Sequence, residues 1–213
     1  MFISKYKAII FDFDETLVKS YSVKWSQHQA VAKKFYGVNL TEETIRKYWG
    51  MPFEEMIGLF YEHKDTVENM MKSYFSLDYL YRKHPYEDTI KVLNFLHDNH
   101  YFLGLVTSMT RESVVDDMNE SEMPYDKFDL IQGSTDSEFH KPDPRVFDGL
   151  ISQLVKLDIK KEEALYVGDD IRDMQAARGA GIGFVAVPNG LTTRKEFEDQ
   201  RADCLNSLSD LIR

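Results

Sequence analysis

The sequence reads as an α/β protein, a parallel sheet covered by helices and interrupted early by an inserted run of helices. Three observations predict this. Short apolar runs alternate with helix-period segments through most of the chain, the alternation fails between residues 19 and 84, and two of the apolar runs stop abruptly at aspartates. With 213 residues, 43% of them hydrophobic, the chain can build one α/β core and carry a small insertion.

The first element is Ala8-Ile9-Ile10-Phe11, apolar at consecutive positions, as a strand covered on both faces must be. The pattern places strands at 7–11, 102–106, 130–132, 164–167 and 184–187, and helices at 89–99, 111–120, 144–156 and 171–179. The Gly179-Ala180-Gly181 cluster stops the last helix, and right-handed crossovers join the strands. Residues 19–84 read as successive helices. Gly37 ends one, Thr41 ahead of Glu42 and Glu43 opens the next, Gly50-Met51-Pro52 breaks the pattern, Asp65-Thr66-Val67-Glu68 resembles a capping box, and Pro85 closes the segment. The expected domains are a core of 1–18 with 85–213 and a helical insertion of 19–84.

Composition narrows the function classes. The chain has 26 basic and 36 acidic residues and a net charge of -10, with a pI near 5.1, so it lacks the electrostatic footprint for nucleic acid or an anionic membrane surface. No apolar stretch approaches the roughly 18 to 20 residues that span a bilayer, and the first residues show no signal-peptide pattern, so the expected location is cytoplasmic. The single cysteine, Cys204, allows neither an intrachain disulfide nor a cysteine zinc cage and reads as a buried, inert thiol.

The chemistry lies at the strand ends. Side chains alternate along a strand, so Asp12 and Asp14 leave the first one on the same side, at the carboxyl edge where open α/β sheets hold ligands. A second acidic cluster, Asp169, Asp170 and Asp173, follows the apolar run 164–167; Gly168 permits a tight strand-to-helix turn, and Asp173 falls one helical turn after Asp169. If the two strands are neighbours, these acids meet. Like charges about 4 Å apart repel by roughly 4 kcal/mol at an effective dielectric near 20, so the cluster must take up protons or bind a cation. Oxygen-only ligands point to a hard metal, Mg²⁺ first. Thr107 and Ser108 end another strand ahead of an incipient helix, a natural phosphate seat, and Lys141 stands in the proline-stiffened loop His140-Lys141-Pro142-Asp143-Pro144. Each feature alone has an ordinary structural reading; their order and spacing together do not.

In that order and spacing the chain resembles the haloacid dehalogenase-like hydrolase superfamily over essentially its whole length, with residues 19–84 similar to the helical cap of phosphoglycolate phosphatase-like and β-phosphoglucomutase-like members. The resemblance implies a Rossmann-like parallel sheet core. It makes Asp12 the nucleophile and a Mg²⁺ ligand, and Asp14 the general acid/base, whose backbone carbonyl also serves the metal. Thr107, with Ser108 beside it, and Lys141 would bind the phosphoryl group, Asp169 would bind Mg²⁺, and Asp173 would hold a metal-bound water or orient Lys141. Asp170 takes a role beside the metal. One departure is Glu15, where many members carry glycine; that position supplies no ligand. Asp14 separates this chain from dehalogenases and phosphonate hydrolases of similar architecture, which lack an aspartate there.

The resemblance thus implies a Mg²⁺-dependent phosphatase that works through an aspartyl-phosphate on a small phosphorylated metabolite, a sugar phosphate or a phosphoglycolate-like acid. A phosphomutase using the same intermediate and a catalytically silent phosphate-binding module stay open, and phosphate release separates them. The cap would close over the site and choose the leaving group, with Lys24, Trp25, His28, Arg46, Tyr48, Trp49 and Met51 as contacts or cap packing, and Tyr74, Phe75, Tyr79 and Tyr81 as cap core. His63, His84, His97, His100 and His140 lack metal-ligand spacing and read as surface residues. Nothing in the sequence sets an oligomeric state.

Overall fold

A computed structural model describes residues 2–49 and 51–213; Met1 and Gly50, the latter read above as a helix break, lie outside them. The chain forms two compact units, Met1–Lys19 with His84–Arg213, and Ser20–Lys83.

In the first unit the elements run β1 (Ala8–Phe11), β2 (Val18–Lys19) and, after the second unit, β3 (His84–Pro85), α5 (Thr89–Asp98), β4 (Phe102–Val106), α6 (Arg111–Glu120), β5 (Leu130–Gln132), α7 (Asp148–Lys156), β6 (Ala164–Gly168), α8 (Ile171–Ala180), β7 (Gly183–Ala186), α9 (Arg194–Asp199) and β8 (Asp203–Cys204). Among the described residues six strands form a parallel sheet in the order β5-β4-β1-β6-β7-β8, and β2 pairs antiparallel with β3. The central strand is fully apolar because both faces are covered. Alternation divides it: Ile9 and Phe11 join Leu103, Leu105, Leu165 and Val167 on the face packed by α5 and α6, whereas Ala8 and Ile10 join Phe102, Val106, Ala164 and Tyr166 on the face packed by α7 and α8.

Several expectations shift by a residue or a turn. The helix expected at 144–156 opens as a 3₁₀ turn, Pro144–Phe147, because Asp143 accepts the Arg145 amide at 2.9 Å and winds the first turn tightly; the α-helix starts only at Asp148. The strand at 184–187 begins one residue earlier, at Gly183. Strands β2, β3 and β8 are two residues each, too short for alternation to mark them. Cys204 is half-buried rather than buried, and burial pushes its thiol pKa up.

The second unit contains α1 (Tyr21–Tyr36), α2 (Glu42–Tyr48), α3 (Phe53–Phe60) and α4 (Val67–Phe75). Gly37 ends α1 with a φ of 66°, and the Thr41 hydroxyl caps α2. The capping box expected at 65–68 does not form as a reciprocal pair. Thr66 is the cap, accepting from the Asn69 amide, while Asp65 accepts from the Thr66 amide and the Asn69 side chain. This unit's interior is aromatic: of the residues expected there Tyr74 is buried, Tyr81 is half-buried, and Phe75 and Tyr79 are exposed, while Phe60 and Tyr61 complete the core. His28 lies among them, 2.9 Å from the Tyr61 hydroxyl and stacked on Tyr74, and burial drives its pKa down to about 3, leaving a neutral ring. No helix among the described residues is long and apolar enough to cross a membrane.

Leu165 is fully buried in β6, between β1 and β7. Leu165→Ala should therefore lower the unfolding free energy by about 2–5 kcal/mol, measured by denaturant titration; a loss under about 1 kcal/mol would mean this face is not packed as described.

Candidate active site

The strand order places a reversal beside β1: the next sheet strand in sequence, β4, lies on one side, and the second half of the sheet begins with β6 on the other. Loops leaving β1 and β6 therefore diverge from a crevice at their carboxyl ends. The Asp12 amide donates to the Val167 carbonyl at 2.9 Å, which brings the first residue past β1 alongside the end of β6. By parity Asp12 follows Ile10, on the face covered by α7 and α8. Lys141 precedes the 3₁₀ turn leading into α7, and Asp173 lies on α8, so both reach Asp12 from that side.

The carboxylates of Asp12, Asp169 and Asp173 are all buried and offer oxygens within 4.8 Å of one another. Lys141 Nζ lies 2.8 Å from Asp12 Oδ1, 2.7 Å from Asp173 Oδ1 and 3.1 Å from the Tyr166 hydroxyl. An ammonium has three N–H donors, and each has an acceptor here. Burial opposes the Lys141 charge, but Asp12 and Asp173 outweigh it and hold the pKa well above the ordinary lysine value. Burial pushes the Asp12 carboxyl up to about 7 against the pull of Lys141, with Asp173 adding to the rise, and burial followed by Asp173 and Asp12 raises Asp169 well above its usual range.

Tyr166 is the residue that sequence reasoning missed. Its hydroxyl donates to the Val106 carbonyl at 2.7 Å, the residue before Thr107, while accepting from Lys141. Its ring packs edge-on against Phe147, 5.0 Å between centroids. The available signal was one hydroxyl within the otherwise apolar run Ala164-Leu165-Tyr166-Val167, since a buried tyrosine O–H needs a partner.

Asp173 also accepts the amides of Asp169 at 3.2 Å and Asp170 at 3.1 Å. Gly168 serves this contact rather than an unusual turn: its φ is not left-handed, but a Cβ there would overlap the Asp173 carboxylate. Asp169 Oδ2 is buried with no hydrogen-bond partner among the described residues, and a Cβ on Gly190 would overlap it. Asp170 stands outside the buried trio, although its charge adds to the rise at Asp169. It caps α8, accepting from the Arg172 amide and guanidinium, which hold its carboxyl below the usual range although burial pushes the other way.

Thr107 is buried; its amide donates to Gln132 and its hydroxyl accepts from the Met109 amide at 3.3 Å. Ser108 is exposed. The helix beyond runs over the expected residues, Arg111–Glu120, and its N-terminus is capped by the Thr110 hydroxyl, which accepts from the Ser113 amide. Asp14 is part-exposed and outside the buried trio, although its charge contributes to the rise at Asp12. A separate crevice of about 600 Å³, between Tyr6, His97, His100 and Tyr101, opens at the amino ends of β1 and β4 and shares no residue with these acids.

The family model for haloacid dehalogenase-like hydrolases matches residues 9–187, from β1 through the residue after β7. The chain is a haloacid dehalogenase-like hydrolase. This hydrolase is 33% identical over 189 residues to a protein of Caldanaerobacter subterraneus named as a candidate pyrophosphatase PpaX, covering 86% of this chain and 82% of the relative. A Bacillus cereus protein named pyrophosphatase PpaX is 28% identical, with 96% of this chain and 94% of the relative covered. Among solved structures, one titled as a candidate β-phosphoglucomutase from Thermotoga maritima superposes with a TM-score of 0.83 at 22% identity, over 97% of this chain and 96% of that one, which speaks to the fold.

Two outcomes follow for this hydrolase. Between the unfolded Asp12 pKa of 3.8 and the folded value of about 7, the native state keeps a proton that the unfolded chain releases, so this group weakens the metal-free fold as pH rises through that window. The stability of Asp12→Asn relative to the native chain, measured in chelator, should therefore increase from about pH 4 to about pH 7 and level off above it; a constant difference would contradict the assignment. Tyr166→Phe strips the Val106 carbonyl of its donor and should cost about 1–3 kcal/mol in thermal or denaturant unfolding.

Proposed function

We propose that this hydrolase is a Mg²⁺-dependent phosphatase that cleaves a small phosphorylated metabolite through an aspartyl-phosphate on Asp12. One observation carries the reading: Asp12 shares a buried pocket with Lys141, Asp173 and an Asp169 oxygen that no hydrogen bond satisfies. Three ionised carboxylates against one ammonium leave a net charge of -2 (three negative, one positive) in a buried space. Protons or a divalent cation must offset it. The donor set is all oxygen, as a hard cation requires, and Asp12, Asp169 and the Asp14 backbone carbonyl would hold it. When bound, Mg²⁺ supplies charge neutralisation at the phosphoryl oxygens.

In the chemical step an Asp12 carboxylate oxygen attacks phosphorus as the bond to the leaving oxygen breaks, and Asp14 hands that oxygen a proton. Asp14, now ionised, takes a proton from a water whose oxygen attacks the phosphorus of the acyl phosphate; inorganic phosphate leaves and the Asp12 carboxylate is restored. Lys141 and Thr107 offset charge on the non-bridging oxygens, and Asp173 and Tyr166 hold Lys141 in place. Sugar phosphates and phosphoglycolate-like acids are the leading substrates. The PpaX names of relatives that align over most of this chain favour inorganic pyrophosphate as a further one.

Phosphate release from a panel of phosphorylated metabolites and pyrophosphate, with Mg²⁺ or with chelator, tests the reading. Release should require the metal and fall by on the order of 10³-fold or more in Asp12→Asn. Metal-independent release, or full activity in that variant, would overturn it, and strict dependence on a sugar bisphosphate without phosphate release would make the protein a mutase.

A further inference from the structure

We propose that Glu15 is a positioning residue for Asp14, holding the proton donor in register with the leaving oxygen, so that cleavage of strongly basic leaving groups depends on the Glu15 carboxylate. The proposal rests on the phosphatase reading of Asp14 and deepens it. Glu15 has a φ of 52°, in the left-handed region that costs a residue with a Cβ about 1–2 kcal/mol, and it is only 5% exposed. A strained, buried glutamate persists where surrounding contacts over-determine it.

Three segments hold it. The Glu15 amide donates to the Val18 carbonyl at 2.9 Å, closing the turn whose other bridge pairs Asp14 with Val18. The Tyr86 hydroxyl donates to Glu15 Oε2 at 2.7 Å, and the Tyr86 amide donates to Leu17 in the same turn. The Asn189 side-chain amide donates to the Glu15 carbonyl at 3.3 Å. Asn189 adjoins Gly190, the residue that makes room for the Asp169 carboxylate. The backbone next to Asp14 is thus pinned by its own turn, by the segment entering α5 and by the loop after β7, which also borders the metal-ligand candidate Asp169. Of these ties, only the bond from Tyr86 needs the glutamate side chain; the other two use backbone groups that any residue supplies.

A general acid must sit within hydrogen-bond reach of the oxygen it protonates, and a displacement of about 1 Å can cost about 10²-fold. That cost depends on the leaving group. An alkyl phosphate expels a strongly basic alkoxide and needs the proton, whereas an aryl phosphate such as p-nitrophenyl phosphate expels a weakly basic phenolate and hardly needs it. A merely structural role for Glu15 would lower both alike.

The test compares kcat/KM, which reports formation of the aspartyl-phosphate, for p-nitrophenyl phosphate and glycerol phosphate in Mg²⁺. Glu15→Gly is the main variant because glycine accepts a φ of 52° without strain, so the fold is retained while the carboxylate is lost. The glycerol phosphate value should fall about 10- to 100-fold and the p-nitrophenyl phosphate value less than about 3-fold. Tyr86→Phe, which removes only the donating hydroxyl, should shift the ratio the same way, and Glu15→Gln, which keeps an acceptor oxygen, should restore most of it. An active native enzyme whose two values fall equally, or not at all, in Glu15→Gly and Tyr86→Phe overturns the Glu15 assignment alone. A native protein inactive on both substrates and on the wider panel overturns the phosphatase reading and this proposal with it.

Discussion

One buried ammonium makes the rest of the site compatible with folding. Asp12, Asp169 and Asp173 stand within 4.8 Å of one another in a space from which water is largely excluded, and Lys141 divides its three donors between Asp12, Asp173 and Tyr166. Without it the acids would repel and would have to hold protons. With it one charge is cancelled, the Asp12 oxygen is oriented, and the remaining deficit falls where Asp169 presents an unsatisfied oxygen. The all-oxygen donor set and the uncancelled charge suit a hard cation, which is what the proposed phosphatase reading asks of this site.

The sheet prepares this arrangement before any polar group is considered. Parity along β1 assigns Ile10 and then Asp12 to the face that α7 and α8 cover, and those helices, or the turn before one of them, bring Asp173 and Lys141. Tyr166, paired in register with Ile10, carries the same face across to β6 and reaches the carbonyl of Val106, next to Thr107. Two small residues keep the approach open: Gly168 for the Asp173 carboxylate and Gly190 for Asp169. The polar site is therefore an extension of the apolar packing beneath it, set by the same alternation.

Strand positions and the acids at their ends were legible because a strand buried on both faces has an unmistakable composition and its end is marked by the first charge. Asp12, Lys141, Asp169 and Asp173 all came from such boundaries or from a stiff loop between them. What the sequence withheld was pairing. Asp170 has the same residue type and neighbourhood as a ligand, but whether an aspartate before a helix binds a metal or caps the helix depends on where its neighbour Arg172 folds, and here Arg172 clasps it. Tyr166 looked like any core aromatic until its hydroxyl met Lys141 and the carbonyl of Val106, both distant in sequence. The left-handed backbone of Glu15 was likewise invisible, because only the register of β2 with β3 and the return of Tyr86 define that turn.

The proposed chemistry is covalent, with Asp12 carrying the phosphoryl group between the two displacements. Acid quenching during turnover on the best substrate of the panel, followed by peptide mass spectrometry, tests it directly, because acyl phosphates survive brief exposure to acid. The mass of one phosphoryl group should appear on the peptide bearing Asp12, present only while substrate lasts and absent from Asp12→Asn. Sustained turnover with no phosphorylated protein at any quench time, or with the group on another residue, would contradict it.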